Sequence, residues 1–323
     1  MEKIDLGTCD PPFWARGGHA QTIWGHLLPS EGLRDPGELV EIPLEGGDRL
    51  SARYHAGRGD AVVYLFHGLA GTNDAGYMRR TARLALALGY GVYRVNHRGC
   101  GEGAGLARAL YHSGRGEDLG AAIAFGRARH PGARAIAIGF SLSGSALLNL
   151  LTGLRGEHPP DAAITVNAPL DLRAAARSLG MGLNRLYDAR FVAQLRRDLR
   201  AKYALGHLPE DPSGWRGRSV HDFDAAFTAR LSGFADREAY YDSCSTGPHL
   251  HKIRVPTVLL TAEDDPFVAY APYAEAKLSP STVLQAQRVG GHMGYVTSSG
   301  LGGGRWLDTA LHRLLDSDPF RKT

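Results

Sequence analysis

The sequence predicts an α/β fold, a mostly parallel, doubly wound sheet with an inserted helical cap, and three observations lead to it. Apolar runs of strand length alternate with runs of helical period from residue 61 to residue 151. The strand-length runs, such as Ala61-Val62-Val63-Tyr64-Leu65-Phe66, are apolar without alternation, as in strands buried on both faces. The rhythm then stops over residues 170–250, which carry helical patterns and loops but no convincing strand, and resumes afterwards with two more strands.

Taken in order, residues 1–38 form an N-terminal arm in which Phe13, Trp14 and Trp24 predict attachment to the body by aromatic burial. A core follows over residues 39–169 and 251–323, interrupted by the cap at residues 170–250. Alternation at Val40, Ile42 and Leu44, a turn at Glu45-Gly46-Gly47-Asp48 and a second alternation at Leu50, Ala52 and Tyr54 predict a hairpin. Strands at 61–66 and 91–95 flank a helix with Met78, Ala82, Leu84, Ala85 and Leu88 inward. A helix with Leu119, Ile123 and Phe125 precedes the strand containing Ile136, Ala137 and Ile138. Strands at 162–166, 255–262 and 282–289 and a helix at 304–315 complete the core.

Chemistry concentrates where strands end. Gly139-Phe140-Ser141-Leu142-Ser143-Gly144 joins a strand to a helix through so tight a turn that Ser141 is lifted clear of the sheet. Small neighbours are required on either side of such a turn. Gly139 meets the demand, and Ser143 meets it only partly. His67-Gly68-Leu69-Ala70-Gly71-Thr72 ends another strand and can turn a backbone N–H toward a substrate, so the amides of Leu69 and Leu142 are the expected oxyanion-hole pair. Glu263-Asp264-Asp265-Pro266 ends a third, and Gly290-Gly291-His292 a fourth. A serine hydroxyl needs a neutral imidazole to take its proton, and the imidazole needs a carboxylate to fix its tautomer. Ser141, an acid at 264 or 265, and His292 supply the three in the chain order serine, acid, histidine. Asp265 is favoured because it stands directly before a proline, with Asp264 shaping the turn. His67 reads as a structural hydrogen-bonding histidine.

Composition narrows the alternatives. At 43% apolar residues the 323-residue chain can bury a large core. Its net charge of +4 comes from scattered arginines without aromatic interleaving, which argues against nucleic acid as a partner. A local concentration at Arg196, Arg197, Arg200 and Lys202 reads as the solvated face of an amphipathic helix whose apolar side is Phe191, Leu195, Leu199 and Tyr203, with electrostatic contact to anionic lipid or substrate as the alternative. No run is long and apolar enough for a transmembrane segment, and the N-terminal residues have no secretory pattern, so a cytoplasmic protein is expected. Cys9, Cys100 and Cys244 form no C-x-x-C pair, and His249-x-His251 has no third ligand nearby, so no metal is expected. The glycines at 99, 101 and 103 have neither the following helix nor the acidic partner of a dinucleotide site, so no cofactor is expected either.

The chain resembles the YheT-like α/β-hydrolases, family four of the AB hydrolase superfamily. The resemblance rests on W-x-R-x-x-H-x-Q-T-I from Trp14 to Ile23, residues 67–71, N-x-R-G-C from Asn96 to Cys100, and residues 111–114, 139–144, 167–172, 223–228, 233–236 with Tyr240-Tyr241, 264–268 and 290–296. It implies an α/β-hydrolase fold and a carboxylic-ester hydrolase acting on short- or medium-chain acyl esters or lipid-like esters, with Ser141 as nucleophile, Asp265 as acid and His292 as base. Acyl transfer to an alcohol by the same triad, or binding of apolar ligands without turnover, are the alternatives. Ser143 stands where that family usually has glycine. The sequence leaves the oligomeric state open.

Overall fold

The computed structural model describes residues 2–30, 33, 35–298 and 304–321. Eight strands form one sheet: β1 (Glu38–Pro43), β2 (Arg49–His55), β3 (Ala61–Phe66), β4 (Gly91–Val95), β5 (Arg134–Phe140), β6 (Ala162–Val166), β7 (Thr257–Ala262) and β8 (Thr282–Gln287). Their order is β1-β2-β4-β3-β5-β6-β7-β8. The hairpin β1–β2 runs antiparallel and β2 pairs antiparallel with β4, while every other neighbour is parallel. All residues of β3, β4, β6 and β7 are buried, as in strands that helices cover on both faces, Arg94 of β4 included.

The helices are α1 (Gly18–Leu27), α2 (Gly76–Ala87), α3 (Gly116–Arg129), α4 (Leu142–Leu151), α5 (Leu172–Leu179), α6 (Asn184–Ala204), α7 (Val220–Phe223), α8 (Ala229–Leu231), α9 (Arg237–Cys244), α10 (Ala271–Glu275) and α11 (Trp306–Leu315). On one face of the sheet, Met78, Ala82 and Ala85 of α2 pack with Leu307, Leu311 and Leu314 of α11. On the other, α3 and α4 pack together and extend into a cluster with Leu195, Leu199, Val220 and Phe223. Residues 167–256 hold helices and loops only, at the position in the chain where the insertion is expected. A short pair, β9 (Val296–Thr297) and β10 (Gly304–Arg305), precedes α11 and does not follow from the sequence pattern.

Two packing expectations are corrected. Phe13, Trp14 and Trp24 do not hold the arm by burial: they are 81, 36 and 40% exposed. Gln21 of α1 does that work with polar contacts, donating from Nε2 to the carbonyls of Ala15 and Val296 at 2.8 and 3.0 Å and accepting the Val296 N–H at 2.6 Å. Such contacts need a helix that lies almost backbone to backbone against its support, and glycines allow it. A Cβ at Gly18 would lie 1.8 Å from the Asp264 carbonyl oxygen.

Lys202 is not part of a solvated face. It is 5% exposed, and Nζ donates to the carbonyls of Ala107 and Ala109 at 2.5 and 3.1 Å, tying α6 to the core. Arg196 is half-buried and stacks over Trp215, 4.9 Å from the ring centroid. Leu183 and Leu186 of the insertion stand 63 and 74% exposed.

Candidate active site

β5 ends at Phe140 and α4 begins at Leu142, leaving Ser141 alone to make the turn with φ 52° and ψ −118°. A non-glycine residue in that region is strained, and the surrounding packing must hold it there. Part of the support is the fit of Gly139, where a Cβ would meet the Ser143 carbonyl oxygen at 2.5 Å. Leu142 opens α4, so its N–H has no acceptor within the helix.

The structure brings Ser141, His292 and Asp265 together from three strand ends. Ser141 Oγ lies 2.9 Å from His292 Nε2, and His292 Nδ1 lies 2.8 Å from Asp265 Oδ2. Since an ionised carboxylate only accepts, Nδ1–H donates to it, which leaves Nε2 as acceptor for the serine hydroxyl. Asp265 is held from several sides. Its Oδ1 accepts the N–H groups of Phe267 and Val268 at 2.8 and 3.0 Å, and its Oδ2 also accepts Asn167 Nδ2 at 2.6 Å. Asp264 faces elsewhere: its Oδ1 accepts the N–H groups of Gly290 and Gly291, both at 2.8 Å, and so shapes the turn before His292. Burial pushes the Asp264 carboxyl above the usual carboxylate range.

Two residues that sequence reasoning did not single out for the site join it. Asn167 sits at φ 50°, donates to Asp265 Oδ2 and to the Gly291 carbonyl at 3.2 Å, and accepts the Tyr295 hydroxyl at 2.9 Å. Its place just past β6, on the same sheet edge as Ser141, was the available signal, because Asn tolerates the left-handed region. Thr22 of α1 accepts the His292 backbone N–H at 2.9 Å while donating to the Gly18 carbonyl at 2.7 Å. The N-terminal arm therefore braces the loop that carries the imidazole.

Ser143 does not crowd the strand, as its place at the elbow suggested. Its side chain is fully buried and points under the loop of Leu69, where Oγ lies 2.6 Å from His97 Nε2 and bonds the His67 carbonyl. His67 uses Nδ1–H toward the Gly68 carbonyl at 2.8 Å and accepts the His97 N–H on Nε2 at 3.2 Å, which is the structural role expected of it. Burial lowers His97 to about 4, so it is neutral here across ordinary pH. One arrangement pairs every group: His97 Nε2–H donates to Ser143 Oγ, whose proton goes to the His67 carbonyl. Deleting the hydroxyl leaves buried partners short of a bond, so Ser143→Ala is expected to lower the unfolding free energy by about 1–3 kcal/mol. Ser143→Gly should cost roughly 1 kcal/mol more as a glycine in a helix. Urea unfolding of both variants measures the two contributions.

A pocket with an empty volume of about 800 Å³, its open mouth included, lies over Ser141 and His292. Leu172, Leu179, Phe191, Leu195, Val220, Phe223 and Phe267 give it apolar walls, and Leu69 and Leu142 also line it. Of the aromatics in the insertion, Phe191, Phe223, Tyr240 and Tyr241 reach it, whereas Tyr187 and Phe227 pack behind or beside it. Asp224 is its buried carboxyl. Desolvation raises that group to about 6 although the Tyr241 hydroxyl donates to it at 2.9 Å. Among the described residues no group of three or more His, Cys, Asp or Glu side chains could hold a metal ion.

A parallel sheet whose strand ends bring together a serine on a strained elbow, an imidazole and a carboxylate defines an α/β hydrolase. The chain belongs to the alpha/beta hydrolase fold family, whose profile matches residues 61–298. Within it the branch is the YheT-like one: the chain is 31% identical to YheT of Escherichia coli (strain K12) over 254 residues, 77% of this chain and 74% of that protein. It is also similar to phospholipase ABHD3 of Mus musculus, 26% identical over 88% of this chain and 72% of that one. Among solved structures, the esterase Pf2001 of Pyrococcus furiosus shares the fold with a TM-score of 0.54 at 18% identity, covering 82% of this chain and 90% of that one.

Proposed function

We propose that this protein is a serine hydrolase of carboxylic esters whose acyl part is an apolar chain of short to medium length. The observation that carries the reading is the continuous path from Asp265 through His292 to Ser141, with contacts of 2.8 and 2.9 Å, at the wall of an apolar pocket. Ser141 Oγ attacks the acyl carbonyl as His292 Nε2 takes its proton. The Leu69 and Leu142 N–H groups receive the oxyanion, and the imidazolium returns the proton to the departing alcohol. A water activated by the same imidazole then releases the acid and frees the serine. Asp265 keeps Nε2 unprotonated in the resting state and balances the positive charge that His292 acquires.

The insertion acts as the cap of this site, and its apolar side chains receive the acyl chain. The kinship with a phospholipase supports lipid-like esters as the class, and no helix among the described residues is long and apolar enough to cross a membrane. The test is hydrolysis of p-nitrophenyl esters of increasing acyl length. The pocket predicts kcat/KM that rises from acetate into the medium-chain range and falls once the chain outgrows the walls. Purified, folded protein that neither cleaves any member of the series nor takes a fluorophosphonate label would sink the proposal.

A further inference from the structure

The large apolar side chains exposed among the described residues are not scattered. Apart from Leu39, Tyr203 and Leu205, all lie on α1, in the turn before it, or around the start of α6. Ile23, Trp24 and Leu27 are 45, 40 and 62% exposed on α1, and Met181, Leu183 and Leu186 are 67, 63 and 74% exposed at the other place. The two groups adjoin. His19 of α1 stacks on Tyr187 of α6, with ring centroids 5.9 Å apart and planes 1° from parallel, and His26 Nε2 accepts from Arg190 at 3.0 Å.

Packed side chains connect this apolar surface to the active site. Tyr187 packs edge-on to Phe267 at 4.7 Å, and Phe267 packs on His292 at 4.6 Å. Its exposed charges over residues 11–30 and at the start of α6 are basic. Residues 11–30 contain Arg16 and no carboxylate, and exposed Arg185 and Arg190 flank Leu186. The carboxylate between them, Asp188, is 3% exposed, turned inward and engaged by the Val220 N–H at 2.7 Å.

We propose that α1 and the start of α6 together form a docking surface for an anionic lipid bilayer, which holds the mouth of the pocket against the membrane. Apolar side chains enter the acyl boundary while arginines meet lipid phosphates, the arrangement that binds interfacial helices. A second copy of the chain is a poorer occupant, because pairing this face with itself sets Arg16, Arg185 and Arg190 against their own kind. The surface uses the start of α6 and not the later basic group at Arg196, Arg197 and Arg200, for which the sequence offered lipid contact only as the alternative to a solvated face. The consequence for substrate delivery rests on the proposed ester hydrolysis; the docking itself does not.

The experiment is co-sedimentation with phosphatidylcholine vesicles, with and without phosphatidylglycerol, using wild type, Ser141→Ala, Leu27→Asp with Leu186→Asp, and Arg185→Glu with Arg190→Glu. Light scattering and p-nitrophenyl butyrate hydrolysis are followed in parallel. Wild type and Ser141→Ala are expected to sediment with phosphatidylglycerol vesicles and to be released by salt. The apolar pair should weaken binding by at least about tenfold, and the arginine pair by about fivefold for each charge removed, with butyrate hydrolysis retained by both. Binding that persists in a wild type unable to cleave butyrate would support the docking surface and count against the esterase. Wild type left in the supernatant, equal binding to pure phosphatidylcholine, or aspartate variants that split a dimer without altering vesicle binding would each overturn the proposal.

Discussion

Ser141→Ala is expected to lower kcat for p-nitrophenyl ester hydrolysis by roughly 10⁴ to 10⁶, the scale of removing a nucleophile that acts as a unit with its base. The loss should appear in kcat far more than in KM. Pocket walls at Leu172, Leu179, Phe191 and Phe223 are untouched by the change, so substrate still binds. Fold should be retained too, because alanine keeps the Cβ and the backbone bonds that hold the elbow, including Ser141 N–H to the Val166 carbonyl at 2.8 Å. Fluorophosphonate labelling should vanish in the same variant. A mutant that keeps more than a hundredth of the wild-type rate would move the nucleophile elsewhere.

The second large effect separates the two adjacent aspartates. Asp265→Asn is expected to reduce kcat by about 10³ to 10⁴, because an amide facing His292 Nδ1 favours the wrong tautomer and no longer balances the imidazolium. Asp264→Asn should change kcat by less than about tenfold. An amide oxygen in place of Oδ1 still accepts from Gly290 and Gly291, and the substitution removes a carboxylate whose ionisation burial already disfavours. Steady-state kinetics of both variants, with circular dichroism to check folding, decides the assignment. Equal losses would mean that the turn, and not the charge on one carboxylate, is what the imidazole needs.

Much of this architecture was legible in the sequence because it rests on local pattern. Continuous apolar runs announced β3, β5, β6 and β7, and the loss of rhythm after Val166 announced the helical insertion. The strand-end positions of Ser141, Asp265 and His292 were readable for the same reason, since an α/β sheet gathers the ends of its parallel strands on one edge. Motifs joined by such an edge can be paired before any distance is known.

What only the tertiary structure decided are the contacts between segments far apart in the chain. Composition cannot distinguish a tryptophan that buries itself from one that faces out, and the arm proved to be fixed by Gln21, Thr22 and Gly18 while Trp14 and Trp24 stay partly exposed. Helical period placed Lys202 among solvated arginines, yet the carbonyls of residues 107 and 109 offered its ammonium a buried site. Ser143 read as a crowded elbow because its partners, His67 and His97, come from two other strand ends. Periodicity and turn chemistry are written within a few residues, so the sequence alone determined the elements and the edge on which chemistry gathers. The direction each side chain takes depends on what the fold brings opposite it, and that is set by packing across the whole chain.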